Sequence, residues 1–325
     1  GLPLSNSLRV LIEQTESKPM RRITESILAD VEAGKSLTQA CAKFPEVFNR
    51  IYLALLKAGE SSGTLDKSLK RLADQQEKDH AMVTRIKNSL TYPAIVLAVI
   101  IGVLLFMVIG VVPQVQQLYH DLGKDLPAIT SMLVAFTNFL VNMWWLVTIV
   151  LGLIIYFVFQ FVRTDSGRHI LAKIKLNLPV FKLMFWRLYN GRFARTAENL
   201  LSTGVSIQDT LAISAEAINN LIMEEEIKEV SEKVKQGKTL SASLKELDYI
   251  LPLLPQMAAI GEESGKIDEM LGKAANVYED ELDQQINTIS TLIEPIMLVI
   301  MTLMVAVIIA GVLMPIYQLV SQIQK

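Results

Sequence analysis

The chain has 325 residues, 51% of them apolar, yet 31 basic and 33 acidic side chains leave a formal charge of only −2. Such a composition excludes an evenly mixed soluble chain, because the charges must sit in polar blocks that alternate with apolar ones. The lone Cys41 excludes an internal disulfide and suits a cytosolic setting.

The chain opens on Gly1-Leu2-Pro3-Leu4, and nothing precedes it to match the helical stretch that stands before the same motif further on. A missing N-terminal helical segment is the expectation. Pro19 suits the first turn of a helix reaching Ala33, Gly34 its C-terminus, and Ser36 the N-cap of the next. Residues 59–66 read Gly-Glu-Ser-Ser-Gly-Thr-Leu-Asp. Two glycines four apart free the backbone for positive φ at a helix end and for a tight turn, and Ser61 is placed to cap the next helix. Leu65, Leu69 and Leu72, then Val83, Ile86 and Leu90, keep a spacing of three or four, which predicts one apolar stripe on a long helix.

Pro93 and Pro113 then bracket an uncharged run of 19 residues, 94–112. At about 1.5 Å per residue this is roughly 28 Å of helix, the thickness of a bilayer core. A second span is expected over 139–162, with Trp144, Trp145 and Tyr156 as interfacial aromatics and Asn142 and Gln160 as its strongly polar members. Residues 163–195 carry eight basic side chains against the single acid Asp165, whereas 114–138 carry only Lys124. The positive-inside rule puts the former in the cytoplasm and the latter outside. Leu171, Ile174, Leu178, Phe181, Phe185 and Trp186 alternate with that basic block, which predicts an amphipathic segment on anionic headgroups rather than a nucleic-acid surface.

The rest of the chain repeats its beginning. Gly204-Val205-Ser206-Ile207 and Gly237-Lys238-Thr239-Leu240 answer to positions 1–4 and 34–37 at an offset of 203, with Thr239 and Ser241 as N-cap candidates. Gly261-Glu262-Glu263-Ser264-Gly265-Lys266-Ile267-Asp268 answers to 59–66 at an offset of 202, and Pro295 and Pro315 bracket a third uncharged run, 296–314. A period this long is far beyond a solenoid unit and reads as two copies of a domain plus a span. The expected organisation is a first cytoplasmic helical repeat over 1–92, spans over 93–113, 139–162 and 295–315, an outer loop over 114–138, a basic linker and second repeat over 163–294, and an outer tail over 316–325. The fold class is therefore an all-α membrane protein, with two repeated cytoplasmic helical-bundle domains and three transmembrane helices.

Neither a catalytic site nor a cofactor or metal site emerges. His80, His120 and His169 are scattered, and Gly34-Lys35-Ser36 has Ala29 where a phosphate-cradling loop needs its first glycine. The paired acidic turns are the sharpest soluble signal. Gly59, Glu60, Ser61, Gly63 and Asp66, with Gly261, Glu262, Ser264, Gly265 and Asp268, are candidates for a partner-facing or cation-binding surface beside the plain structural turn. Pro93, Glu294 and Pro295 are membrane-boundary candidates, Glu294 being an ionisable residue at the lip of a span.

Taken in order, these motifs resemble the F family of type II secretion and type IV pilus systems, as do Leu126-Pro127-Ala128-Ile129-Thr130, Phe193-Ala194-Arg195-Thr196 and Glu294-Pro295. The resemblance implies a non-enzymatic inner-membrane platform protein, a homo-oligomer whose partners are a hexameric assembly ATPase, pilin or pseudopilin subunits and other inner-membrane assembly proteins. No nucleic acid is implied. A transporter is the rival from another class, opposed by the parallel copies and by the lack of a buried charge or broken helix at the membrane midplane. A membrane-anchored scaffold or sensor makes similar sequence demands.

Overall fold

The computed structural model describes residues 3–121, 131–132, 134–135, 139, 142–179, 181–313 and 317. Among these no strand occurs, and the helices group into two compact units, Gly1–Ala81 with Arg168–Gln284 and Met82–Gly167 with Gln285–Lys325. The pieces 122–130 and 318–325, and with them the 126–130 motif and nearly all of the outer tail, lie outside the described residues.

In the first unit, the first repeat consists of α1 (Leu4–Gln14), α2 (Lys18–Glu32), α3 (Leu37–Cys41), α4 (Arg50–Ser62) and the start of α5 (Leu65–Phe106). Pro19 sits in the first turn of α2, where its missing N–H costs nothing, and Gly34 follows the helix at φ 86°. Ser36 caps α3 by accepting from Gln39 N, and Asn49 caps α4 by accepting from Tyr52 N. The core gathers Leu8, Ile27, Leu37, Ala40, Cys41, Leu55, Leu56 and Leu72. The expected stripe on α5 divides: Leu65, Leu69 and Leu72 join this core, whereas Val83 is exposed.

The second repeat is preceded by α8 (Asp165–Asn177) and built from α9 (Lys182–Leu201), α10 (Ile207–Ala217), α11 (Leu221–Lys235), α12 (Leu240–Leu244), α13 (Leu253–Ser264) and the start of α14 (Ile267–Ile308). Tyr189, Phe193, Ala197 and Leu200 give α9 a buried stripe at helical spacing. Buried Asn190 holds the chain after α12, donating to Tyr249 O at 3.0 Å and accepting from Leu251 N at 3.1 Å. Thr239 caps α12, accepting from Ala242 N, but Ser241 does not act as a cap. Phe185 and Trp186 depart from the amphipathic expectation. They pack against the second repeat's core, Trp186 Nε1 donating to Leu176 O, because rings this large gain more from a protein groove than from the surface. Ile174 and Leu178 remain exposed.

The two repeats pack on each other. Helix α4 lies against α9 and α10, so that Leu200 and Ile213 of the second repeat complete the core of the first. Ion pairs frame this contact: Arg50 with Glu216, and Lys78 with Glu279 at 2.9 Å. Glu279 also receives Arg195 Nε at 2.7 Å and Nη2 at 2.8 Å.

The second unit holds the apolar helices. Among the described residues, three helices are long and apolar enough to cross a membrane: Thr91–Asp121, Trp145–Arg163 within α7 (Trp144–Arg163), and Ile267–Ile308. Their apolar side chains, among them Val99, Phe106, Ile155, Phe157, Val299 and Leu303, are exposed along these helices, as suits a surface solvated by lipid. Pro93 and Pro295 do not interrupt α5 and α14, each 42 residues long. Each long helix ends in a π-helical turn, Met107–Val111 and Ile309–Leu313, and the first leads into α6 (Val112–Asp121), which continues past Pro113. Glu294 is exposed on α14.

Candidate functional site: the paired acidic corners

At the corner between α4 and α5 the chain leaves one helix through Gly63, at φ 68°, and the matching Gly265 between α13 and α14 has φ 72°. Thr64 N donates to Gly59 O at 2.9 Å, and Lys266 N to Gly261 O at 2.9 Å. These bonds satisfy carbonyls that a helix end otherwise orphans, and a left-handed residue is needed to make them.

The first glycine of each pair has a different task. A Cβ on Gly59 meets Ser68 Oγ at 2.5 Å, and one on Gly261 meets Ile267 Cα at 2.7 Å. Close approach of the following long helix, rather than positive φ, therefore demands glycine there.

The two acids turn inward along the bundle. Glu60 Oε1 accepts from Leu37 N at 2.5 Å, and its Oε2 accepts from Thr38 Oγ1 at 2.6 Å. Glu262 repeats this on α12: Oε1 accepts from Leu240 N at 2.5 Å, and Oε2 from Ser241 N at 3.3 Å and Ser241 Oγ at 2.5 Å. Short helices α3 and α12 expose unpaired N–H groups and the positive end of their dipole, which a carboxylate satisfies well. The cap residue takes the third N–H and the glutamate the first two, so each short helix is closed by a residue 21 to 23 positions away.

The remaining candidates are spread around each corner. Ser61 is exposed, while Ser62 and Ser264 donate backward, to Ala58 O at 2.8 Å and Ile260 O at 2.6 Å. The serines thus do not cap the following helix; the hydroxyl is one turn from an open carbonyl of its own helix and bonds there. Asp66 and Asp268 occupy the first turns of α5 and α14, where the helix dipole favours a carboxylate. Burial and the nearby Glu60 charge push the Cys41 thiol up to about 11, which keeps it protonated and unreactive. Among the described residues, no three His, Cys, Asp or Glu side chains converge on a metal position.

The family description for type II secretion system protein F matches this chain twice, over residues 1–113 and 193–315, each stretch running through one repeat and one apolar run. The chain belongs to that family. It is 35% identical to the type IV pilus assembly protein PilC of Thermus thermophilus, over 99% of this chain and 79% of the relative. With PilC of Pseudomonas aeruginosa it shares 34% identity over 98% and 86%, and with type II secretion system protein F of Aeromonas hydrophila 32% over 98% and 82%.

For this F-family chain, the sequence pattern brought together residues that the fold uses as a unit: glycine for approach, acid for the neighbouring helix, glycine for the exit. It did not reveal the charge network of Arg195, Glu279 and Lys78. The available signal was Arg195 itself, a cation beside the buried Phe193, Ala194 and Ala197, where a charge needs a partner.

Proposed function

We propose that this chain is a non-enzymatic platform of the bacterial inner membrane, one that links a cytoplasmic assembly ATPase to the insertion of pilin or pseudopilin subunits into a filament. Its soluble repeats face the cytoplasm, as the basic excess after the second span indicates. Family membership gives the system, and one observation carries the mechanical part: α5 and α14 each begin in a helical bundle and end in an apolar run with no break in the helix. A helix of 42 residues, about 63 Å long at 1.5 Å per residue, transmits a push or twist applied at its polar end.

Co-purification of the cognate hexameric ATPase with the chain from membranes tests the reading, together with loss of filaments or secretion on deletion and recovery on complementation. Solute flux through the purified protein in liposomes, with no ATPase bound, would instead mark a transporter.

A further inference from the structure

Sequence periodicity assigns six apolar side chains to one amphipathic segment, and the structure redistributes them. Phe185 and Trp186 pack into the second repeat, and Leu171 and Phe181 are half-buried, whereas Ile174 and Leu178 are exposed and are joined by Ile170. These three stand four residues apart on α8 and its final turn, at 47%, 39% and 47% exposure respectively, and Leu178 N still donates to Ile174 O at 2.8 Å. They form one apolar ridge.

The helix that carries this ridge is held from its other side. Ala172 and Leu176 are buried, Asn220 Nδ2 donates to Ala172 O at 3.2 Å, and Trp186 Nε1 donates to Leu176 O at 3.0 Å. At about 100° per residue the ridge lies opposite Ala172 and Leu176, with exposed Lys173 about 100° to one side of its centre and exposed Lys175 about 100° to the other. Helix α8 thus has two apolar faces, one covered by protein and one bare between lysines.

Its place in the chain says what covers the bare face. The span α7 ends at Arg163, whose guanidinium lies 4.1 Å over the Phe159 ring, and Thr164 alone separates it from α8. Over 163–183, Arg163, Arg168, Lys173, Lys175 and Lys182 stand against the single acid Asp165. Glu225 of the neighbouring α11 meets His169 at 3.5 Å, about 140° around α8 from the ridge centre, and so leaves the flanking lysines to another anion.

We propose that α8 seats Ile170, Ile174 and Leu178 among the headgroups of the anionic leaflet from which α7 emerges, with Lys173 and Lys175 on lipid phosphates to either side. A ridge rimmed by cations matches a surface that is apolar below and negative above, and a one-residue tether to the span keeps it there. Free phosphate would pair with the lysines but leave the ridge in water. The inference rests on α7 crossing the bilayer and not on the platform reading, so either can fail without the other.

The test uses the purified full chain with Cys41→Ala, reconstituted in liposomes and carrying a nitroxide on Ile170→Cys or Ile174→Cys. Collision with oxygen, which concentrates in hydrocarbon, is compared with collision with a neutral nickel chelate, which stays in water. In phosphatidylcholine with about 30% phosphatidylglycerol, the oxygen-to-nickel ratio is expected to exceed that at the exposed Gln236→Cys by about threefold, and to fall by at least about half in phosphatidylcholine alone. Lys173→Glu with Lys175→Glu should bring the ratio down to the Gln236 value, and Lys173→Arg with Lys175→Arg should keep it high. A ratio at the Gln236 value in anionic liposomes overturns the proposal. So does a high ratio that ignores lipid charge or survives the double Glu change, and so does one found only in native membranes, where a protein must then supply the cover.

Discussion

The two repeats share their local devices and differ in how their cores are closed. Both exit a helix through a left-handed glycine and both close a short helix with a distant glutamate. The second repeat fills its core from its own helices and from Leu176, but the first takes Leu200 and Ile213 from its sibling. Duplication has preserved the corners, which are satisfied by hydrogen bonds made within each repeat, while the large surfaces have diverged according to which neighbour covers them.

The strongest way to break this comparison is Leu200→Ala. The side chain sits on the second repeat but is fully buried in the first repeat's core, so a loss of about 3–4 kcal/mol should fall on both. Hydrogen exchange is expected to show α4 opening more readily, and unchanged protection there would mean that the first repeat closes alone. A related expectation is that residues 1–81 expressed alone melt below residues 168–284.

Gly261→Ala and Gly59→Ala sharpen the contrast at the corners. The new methyl meets the Ile267 backbone in the second repeat and, in the first, the buried Ser68 side chain at both Oγ and Cβ, of which only Oγ can rotate away, so about 3 against about 2 kcal/mol is expected from denaturant unfolding of soluble fragments. Equal losses would show that the two long helices are held equally firmly.

Next come Glu60→Gln and Glu262→Gln, each expected to cost about 1–2 kcal/mol by weakening charge-assisted bonds to a helix end. Glu60→Lys and Glu262→Lys should cost more and also lower filament output. If the Gln variants keep full stability yet lose ATPase co-purification, the carboxylates are read by a partner and not only by α3 and α12.

The smallest effect concerns pH. Where the first repeat has Ile23, the second has Glu226, whose pKa is raised to about 7 by burial and then by Asp248 and Glu229. A carboxyl raised in the folded state contributes stability below its unfolded pKa and loses it as pH climbs through the folded value. The second repeat should therefore weaken between about pH 4.5 and 7. Glu226→Gln should raise its melting temperature at pH 8, with little change at pH 4.5, and a pH-independent effect would contradict this account.

Spans, repeats and the exit glycines were legible because each is written in neighbouring residues: an uncharged run, an offset, a glycine after a periodic segment. The task of Gly59 was not, since it depends on where Ser68 arrives, and the task of Glu60 was not, since its partners are residues 37 and 38. Pro93 brackets the uncharged run without ending the helix, and α5 runs on through it. The docking of α4 on α9 and α10 left only amphipathic patterns, which state that a face is covered but not by what.

That docking also sets a clock. Glu60 reaches its partner across 22 or 23 residues, whereas Arg50 and Glu216 are 166 apart. At synthesis rates of about 5–20 residues per second, the first closure waits roughly 1–5 s and the second roughly 8–30 s. During that interval the ribosome delivers two apolar spans while the first repeat's Leu55 and Leu56 still lack their cover from Leu200 and Ile213. The nascent first repeat is thus born with an adhesive side, and on a crowded polysome its order of synthesis decides whether its own second half or a neighbour's arrives first.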